Sequence, residues 1–281
     1  MGYHVLTGFK ESLGRTAGSE GQWGRAGEEP GHRVVEEAWT RSLEGGAGAS
    51  RRVGLFQGGY SPGRTIPNGG WMYLRTLTIG MLATNCYLLA PDVRSPAAVI
   101  DPAGEVKSIV SRLHEDELEC VAILCTHGHV DHVAGAGPLS DAVGAPVYIH
   151  EADAGALASP RTRLVGLVGG VMATRPRQVR YVDDGDIIQV GDLAIKVLHT
   201  PGHTRGGISF YLPGYLFCGD LIFQGSIGRT DLKGGSLQTL LRSVREKVWG
   251  LPDDTRILPG HGPATTLGEE KAHNPFLMGL C

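Results

Sequence analysis

Hydrophobic and polar positions divide this chain in two. Over residues 1–71 no segment keeps a helix or strand period for long, and Val34–Leu43 is the best short helix candidate. From Met72 the pattern changes abruptly. Tyr73–Ile79 and Asn85–Leu89 read as strands joined through Gly80, and Ala98–Ile100 as a short strand ending in Asp101-Pro102. Glu105–His114 has helical spacing, with Val106, Ile109, Val110 and Leu113 on one face. The run Val121–Cys125 is apolar without a break, as expected of a strand buried on both faces. Leu139–Val143 then suggests a helix, Val147–Ile149 a strand and Glu151–Leu157 a further helix, while Ser159–Val179 lacks a period and reads as a loop. Asp186–Val190 and Leu193–Leu198 flank Gly191-Asp192, and Ile208–Leu212 and Tyr215–Cys218 flank Pro213-Gly214, two hairpin signals. Ser236–Val248 is an amphipathic helix with Leu237, Leu240, Leu241, Val244 and Val248 on one side and Ser236 as its cap. Ile257–Leu258 is a last short strand. Strands alternating with helices, with hairpins among them, predict an α/β layered domain: two mixed sheets packed together, helices outside.

Composition sharpens the division. Residues 1–71 hold 17 of the 43 glycines, scattered with Arg, Ser and Glu. That segment reads as a disordered, Gly-rich extension without chemistry of its own, or as sequence ahead of a true start at Met72. The 281 residues are enough for one large domain or two small ones, and the folded, catalytic part is expected over 72–281. A formal net charge of −3 gives no electrostatic case for nucleic acid or an anionic membrane. No apolar run approaches the roughly 20 residues that span a bilayer, and the basic-then-apolar pattern of a secretory signal is missing at the N-terminus. Cys86, Cys120, Cys125, Cys218 and Cys281 form no CxxC pair. They are expected as reduced, mostly buried thiols in a cytoplasmic setting.

The chemistry begins directly after the strand at Val121. Thr126-His127-Gly128-His129-Val130-Asp131-His132 places three imidazoles and a carboxylate within six positions. If the chain stays extended through His129, His127 and His129 point the same way and can grip one ion; the turn that follows aims Asp131 and His132 toward a second. Such nitrogen and oxygen donors suit zinc, iron or manganese. A solvated polar loop would account for a single histidine, but not for this cluster. Three more donors follow strand ends, each next to a glycine: His203 after Gly202, Asp220 after Gly219, His261 after Gly260. By contrast, His150 and His199 read as core groups or as groups orienting ligands, and His4, His32 and His114 as surface residues.

Together His127-x-His129-x-Asp131-His132, His203, Asp220 and His261 resemble the ligand set of the metallo-β-lactamase superfamily. The resemblance covers Met72 to the C-terminus and implies an αββα sandwich with the metals at one edge of two mixed sheets. It implies two divalent metal ions, zinc ahead of iron or manganese. His127, His129 and His203 would hold the first, Asp131, His132 and His261 the second, and Asp220 would bridge them. True β-lactamases usually carry Cys at the place of Asp220, which points away from that activity. Phe223-Gln224-Gly225-Ser226-Ile227-Gly228-Arg229-Thr230-Asp231 is similar to a segment of glyoxalase II-like hydrolases, in which Arg229 would contact a glutathione carboxylate; the alternative is that Arg229 simply pairs with Asp231. His273-Asn274-Pro275-Phe276-Leu277 resembles the tail of the short members of that group. Only twenty residues follow His261, so the helical substrate domain of full-length glyoxalase II is not expected. The resemblance therefore implies hydrolysis of a thioester, S-(2-hydroxyacyl)glutathione first, by metal-activated water, with Asp131 as the catalytic residue orienting it. The alternatives are a persulfide dioxygenase with one iron on His127, His203 and Asp220, a lactonase, and a metal-binding scaffold without catalysis. The expected partner is a small-molecule glutathione thioester, with no nucleic acid and no membrane; the number of subunits stays open.

Overall fold

Residues in a strand alternate between its two faces, so a strand apolar at every position must be covered on both. Two stacked six-stranded sheets do this in a computed structural model, which describes residues 72–80, 82–159, 162 and 173–280. The expected extension over 1–71 and most of the expected loop over Ser159–Val179 lie outside the described residues.

The first sheet runs in order through β1 (Tyr73–Ile79), β2 (Thr84–Ala90), β3 (Pro96–Ile100), β4 (Glu119–Leu124), β5 (Val147–Ile149) and β6 (Val179–Tyr181). Its first three strands pair antiparallel and the rest parallel. In the second, β7 (Ile187–Val190), β8 (Leu193–His199), β9 (Ile208–Leu212) and β10 (Tyr215–Gly219) pair antiparallel in turn. There β13 (Arg256–Pro259) adds parallel to β10, and β14 (Thr265–Thr266) closes the edge. A small hairpin, β11 (Ile222–Phe223) with β12 (Ser226–Ile227), stands apart.

The alternation sorts the core into layers. Between the sheets, Tyr87, Leu89, Ala98, Ile100 and Leu124 meet Ile195, Val197, Phe210, Tyr215 and Phe217. The other face of the first sheet, with Leu88, Val99, Ile123 and Val147, packs on Ile109 and Leu113 of α1 (Val106–Glu115) and Leu139 of α3 (Ala136–Val143). On the far side, Leu216, Cys218 and Ile257 pack on Leu240 of α5 (Leu237–Ser243) and Leu267 of α6 (Leu267–His273). The result is the expected αββα sandwich of two mixed sheets.

The expected helix at Ser236–Val248 is capped as anticipated, the Ser236 hydroxyl accepting from the Thr239 N–H. It changes to a π-turn over Val244–Val248, and Leu237 lies 48% exposed rather than in the buried stripe. The helix expected at Glu151–Leu157 is α4 (Glu151–Ala154) followed by a 3-10 turn, Gly155–Ala158. β6, β11, β12 and β14 are too short to show a period, and α6 has no apolar stripe to announce it, only Leu267 and Ala272 among its seven residues.

Candidate metal centre

Every strand that feeds the centre ends at one edge of the sandwich. β4 runs out into Thr126 and His127. His129 keeps an extended backbone (φ −70°, ψ 144°) before the single turn α2 (Val130–Val133) carries Asp131 and His132. The chain therefore does what the spacing of the motif requires. His203 follows β8, Asp220 follows β10 and His261 follows β13. β2 of the opposite sheet ties down the last of these: the Asn85 N–H donates to the Gly260 carbonyl, and the Asn85 amide donates to Pro259 and Gly262.

Seven predicted donors from four loops meet there. His127 Nε2 lies 3.1 Å from His129 Nδ1, and His203 Nε2 2.7 Å from the same atom. Asp131 Oδ2 is 3.2 Å from His261 Nε2 and 3.6 Å from His132 Nε2. Asp220 stands between the groups, Oδ2 at 3.4 Å from His203 Nε2 and Oδ1 at 3.4 Å from His132 Nε2. His127–His129–His203 and Asp131–His132–His261 are two trios that can each hold an ion, and a third grouping, His127–His132–Asp220, spans them, so that Asp220 stands beside both trios.

The outer nitrogens explain why the inner ones are available. His203 Nδ1–H donates to the Arg229 carbonyl at 2.7 Å, His261 Nδ1–H to the Leu82 carbonyl at 3.1 Å, and His132 Nδ1–H to Asp101 Oδ2 at 2.9 Å. His127 Nδ1 faces the Thr126 hydroxyl at 3.1 Å. Each outer partner takes the ring proton and leaves an Nε2 lone pair facing inward, the arrangement that metal-bound imidazoles use. Asp220 Oδ1 is buried without a hydrogen bond among the described residues. His132 Nε2, at 3.4 Å, is its charged neighbour but does not hydrogen-bond it; a buried carboxylate oxygen without a hydrogen bond is costly, and a cation between the trios would satisfy it. The donor set therefore fits divalent metal.

Electrostatics of the metal-free centre point the same way. Burial, and then the charge of His132, hold His127 well below the ordinary histidine pKa, and burial lowers His129 too. Burial opposes a charge on His132, but Asp220 and Asp101 outweigh it and raise its pKa. Burial likewise opposes ionisation of Asp220, yet His132 above all holds its carboxyl far below the usual range. Without metal, one proton on His132 balances the Asp220 carboxylate; a cation would take over that role.

Asp101, where β3 ends, has a larger part than its place in the sequence implies. It is buried, in the left-handed backbone region (φ 50°), and accepts from the Thr126 N–H, the Thr126 hydroxyl and His132. A single Asp-Pro after a short strand carries no signal of this. His150 and His199 neither fill the core nor touch a ligand: their rings stack on each other at 4.2 Å, and His150 Nδ1 caps α4. Arg229 forks onto Asp231 through Nε and Nη2 at 2.9 and 2.8 Å, both residues exposed. This is the structural alternative to a substrate contact, and it leaves the Nη1 side without a side-chain partner among the described residues.

The sequence model of the metallo-beta-lactamase superfamily matches residues 79–261, and the chain belongs to that superfamily. An uncharacterized protein of Mycobacterium tuberculosis is 41% identical over 222 residues, 74% of this chain and 99% of that protein. The hydroxyacylglutathione hydrolase GloC of Haemophilus influenzae is 36% identical over 73% of this chain and 98% of its own length. Among solved structures, the B3 metallo-beta-lactamase BLEG-1 matches with a TM-score of 0.66 and 35% identity over 74% of this chain and all of that one. TTHA1623 in a di-iron-bound form matches at 0.62 and 38%, over 72% and 100%. ETHE1 from Myxococcus xanthus matches at 0.60 and 31%, over 72% and 83%. Fold and family define a metal-dependent hydrolase class.

Proposed function

We propose that this protein hydrolyses thioesters of the S-(2-hydroxyacyl)glutathione type at a centre of two divalent metals, zinc ahead of iron or manganese. The observation that carries the reading is the convergence of both trios on Asp220, together with the glyoxalase II-like segment from Phe223 to Asp231 and the similarity to GloC. When bound, a pair of such ions supplies a water of near-neutral pKa and polarises a carbonyl. The protein does the rest. Asp131 is held by His261; burial opposes its ionisation, but that hydrogen bond keeps its pKa below the usual carboxylate value, so it remains an acceptor that orients the attacking water. Phe223, whose ring centroid lies 6.3 Å from that of His261, walls the centre. Arg229 meets a glutathione carboxylate through its open Nη1 side or by exchanging Asp231 for it. Products are glutathione and a 2-hydroxy acid such as lactate.

Among the described residues no helix is long and apolar enough to cross a membrane. Cys86, Cys120, Cys125 and Cys218 are free and buried, which fits the reducing cytoplasm.

Metal analysis combined with lactoylglutathione hydrolysis tests the reading: two metals per chain and release of glutathione are expected. Full metal occupancy without thioester turnover would sink it. The second reading, a persulfide dioxygenase, draws on His203 lying 3.4 Å from Asp220, so that with His127 they can surround a single iron. It predicts one iron per chain and oxygen uptake on glutathione persulfide. Ring opening of acyl-lactones would indicate a lactonase, and hydrolysis of a chromogenic β-lactam a true lactamase.

A further inference from the structure

The first trio is assembled from both sheets. His127 and His129 follow β4, His203 follows β8, and these loops share one direct backbone bond, from the Ile208 N–H to the Thr126 carbonyl at 2.8 Å. A third element lies across them. Asp153, on α4, accepts from the Gly128 N–H at 2.8 Å through Oδ2, in the middle of His127-Gly128-His129. The same oxygen accepts from the Thr204 hydroxyl at 2.7 Å, and Oδ1 accepts from the Gly206 N–H at 3.0 Å. One carboxylate thus holds both ligand loops.

The glycines on either side are shaped around it. A Cβ on Gly128 would stand 2.9 Å from the Asp153 carbonyl and 3.1 Å from its Cβ, and a Cβ on Gly206 would stand 2.7 Å from its Cγ. A side chain at Gly206 would collide with the carboxylate itself, and one at Gly128 with the α4 backbone that carries it. Asp153 lies 24 residues after His129 and makes no contact with a candidate ligand side chain, so neither motif points to it.

We infer that Asp153 is a positioning residue that sets the distance between His127–His129 and His203, and with it the metal affinity of the first trio. The inference rests on the metal-centre reading above. Both acceptor oxygens are needed. An amide at 153 keeps the volume but turns an NH2 toward either Gly206 or the Gly128–Thr204 pair, so one loop is released.

Cobalt(II) titration of the full-length, metal-depleted protein, followed by its visible absorption and by chelator competition, tests this. Asp153→Asn should weaken cobalt binding by roughly 10–100-fold and alter the absorption bands at saturating cobalt. A purely structural residue would shift the denaturation midpoint and leave the bands of the bound state as they are. Thr204→Val, which removes one of the three bonds, should show a smaller change in the same direction, and Thr204→Ser should restore wild-type behaviour. Wild-type affinity and spectrum in Asp153→Asn overturn the inference alone, since the metal centre itself would stand. If Asp153→Asn does not fold, an unchanged affinity and spectrum in Thr204→Val overturn it instead. Failure of the wild-type protein to bind cobalt overturns the metal-centre reading and the inference with it.

Discussion

Gly260 lies directly behind the two groups that the metal-centre reading requires to be most exactly placed. A Cβ there would stand 2.4 Å from Asp220 Oδ1 and 2.5 Å from His132 Cε1. Ordinary contact begins near 3.4 Å, so Gly260→Ala asks the carboxylate to move by about 1 Å. Neither backbone yields easily. The Gly260 N–H donates to the Gly219 carbonyl, next to Asp220, and its own carbonyl accepts from Asn85. Metal–ligand distances tolerate only about 0.2 Å, so the displacement is roughly five times what the site can absorb. Overpacking should lower stability by about 1–3 kcal/mol, leaving a folded protein whose metal affinity falls on the order of 100-fold, equivalent to about 2.7 kcal/mol. Chelator competition measures the affinity and urea denaturation the stability. Gly262→Ala is the control: it has a left-handed backbone (φ 75°) but nothing within 4 Å of the added carbon. It should cost about 1 kcal/mol of stability and leave metal binding intact. Wild-type affinity in Gly260→Ala, or an equal loss in both variants, would refute the reasoning.

Two further outcomes are expected. Asn274, fully buried, donates to the Ser226 carbonyl at 2.9 Å and to Glu270 at 2.8 Å, and accepts from the Phe276 N–H at 3.0 Å. Asn274→Ala should therefore lower stability by about 3 kcal/mol. By loosening the β11–β12 hairpin that carries Phe223 it should raise KM with metal content unchanged; an unaltered KM would count against this wall of the pocket. In chelated protein, His132 has a folded pKa above its unfolded value of about 6.5. Its contribution to stability is then complete below that pH and is lost as the pH rises through the folded value. His127 and His129, held low by burial, act only below about 6.5. The melting temperature of the metal-free protein should thus fall as the pH rises above about 6.5, and Asp220→Asn should flatten the slope. A rise over that range in the metal-free protein would contradict the charge balance described.

The strands and the ligand residues were legible along the chain because both obey short-range rules. A strand covered on two faces has to be apolar along its covered length, as Cys86–Ala90 of β2, Cys120–Leu124 of β4 and Tyr215–Cys218 of β10 are, and a metal ligand can only be one of a few residue types. Glycine beside His203, Asp220 and His261 marked where strands end. The structure was needed for what has no local signature. Asp101 and Asp153 act through hydrogen bonds to backbone and side-chain groups on other loops, and nothing in Asp-Pro or Glu-Ala-Asp-Ala announces such a partner. The same holds for the stacking of His150 on His199; the Arg229–Asp231 pair, two residues apart, was by contrast one of two readings the sequence offered, and the structure shows the fork formed. Periodicity and donor chemistry, carried within a few residues, belong to the sequence. Which proton faces outward, and how far apart two loops stand, depend on contacts between segments distant in the chain, and only the packed sheets decide those.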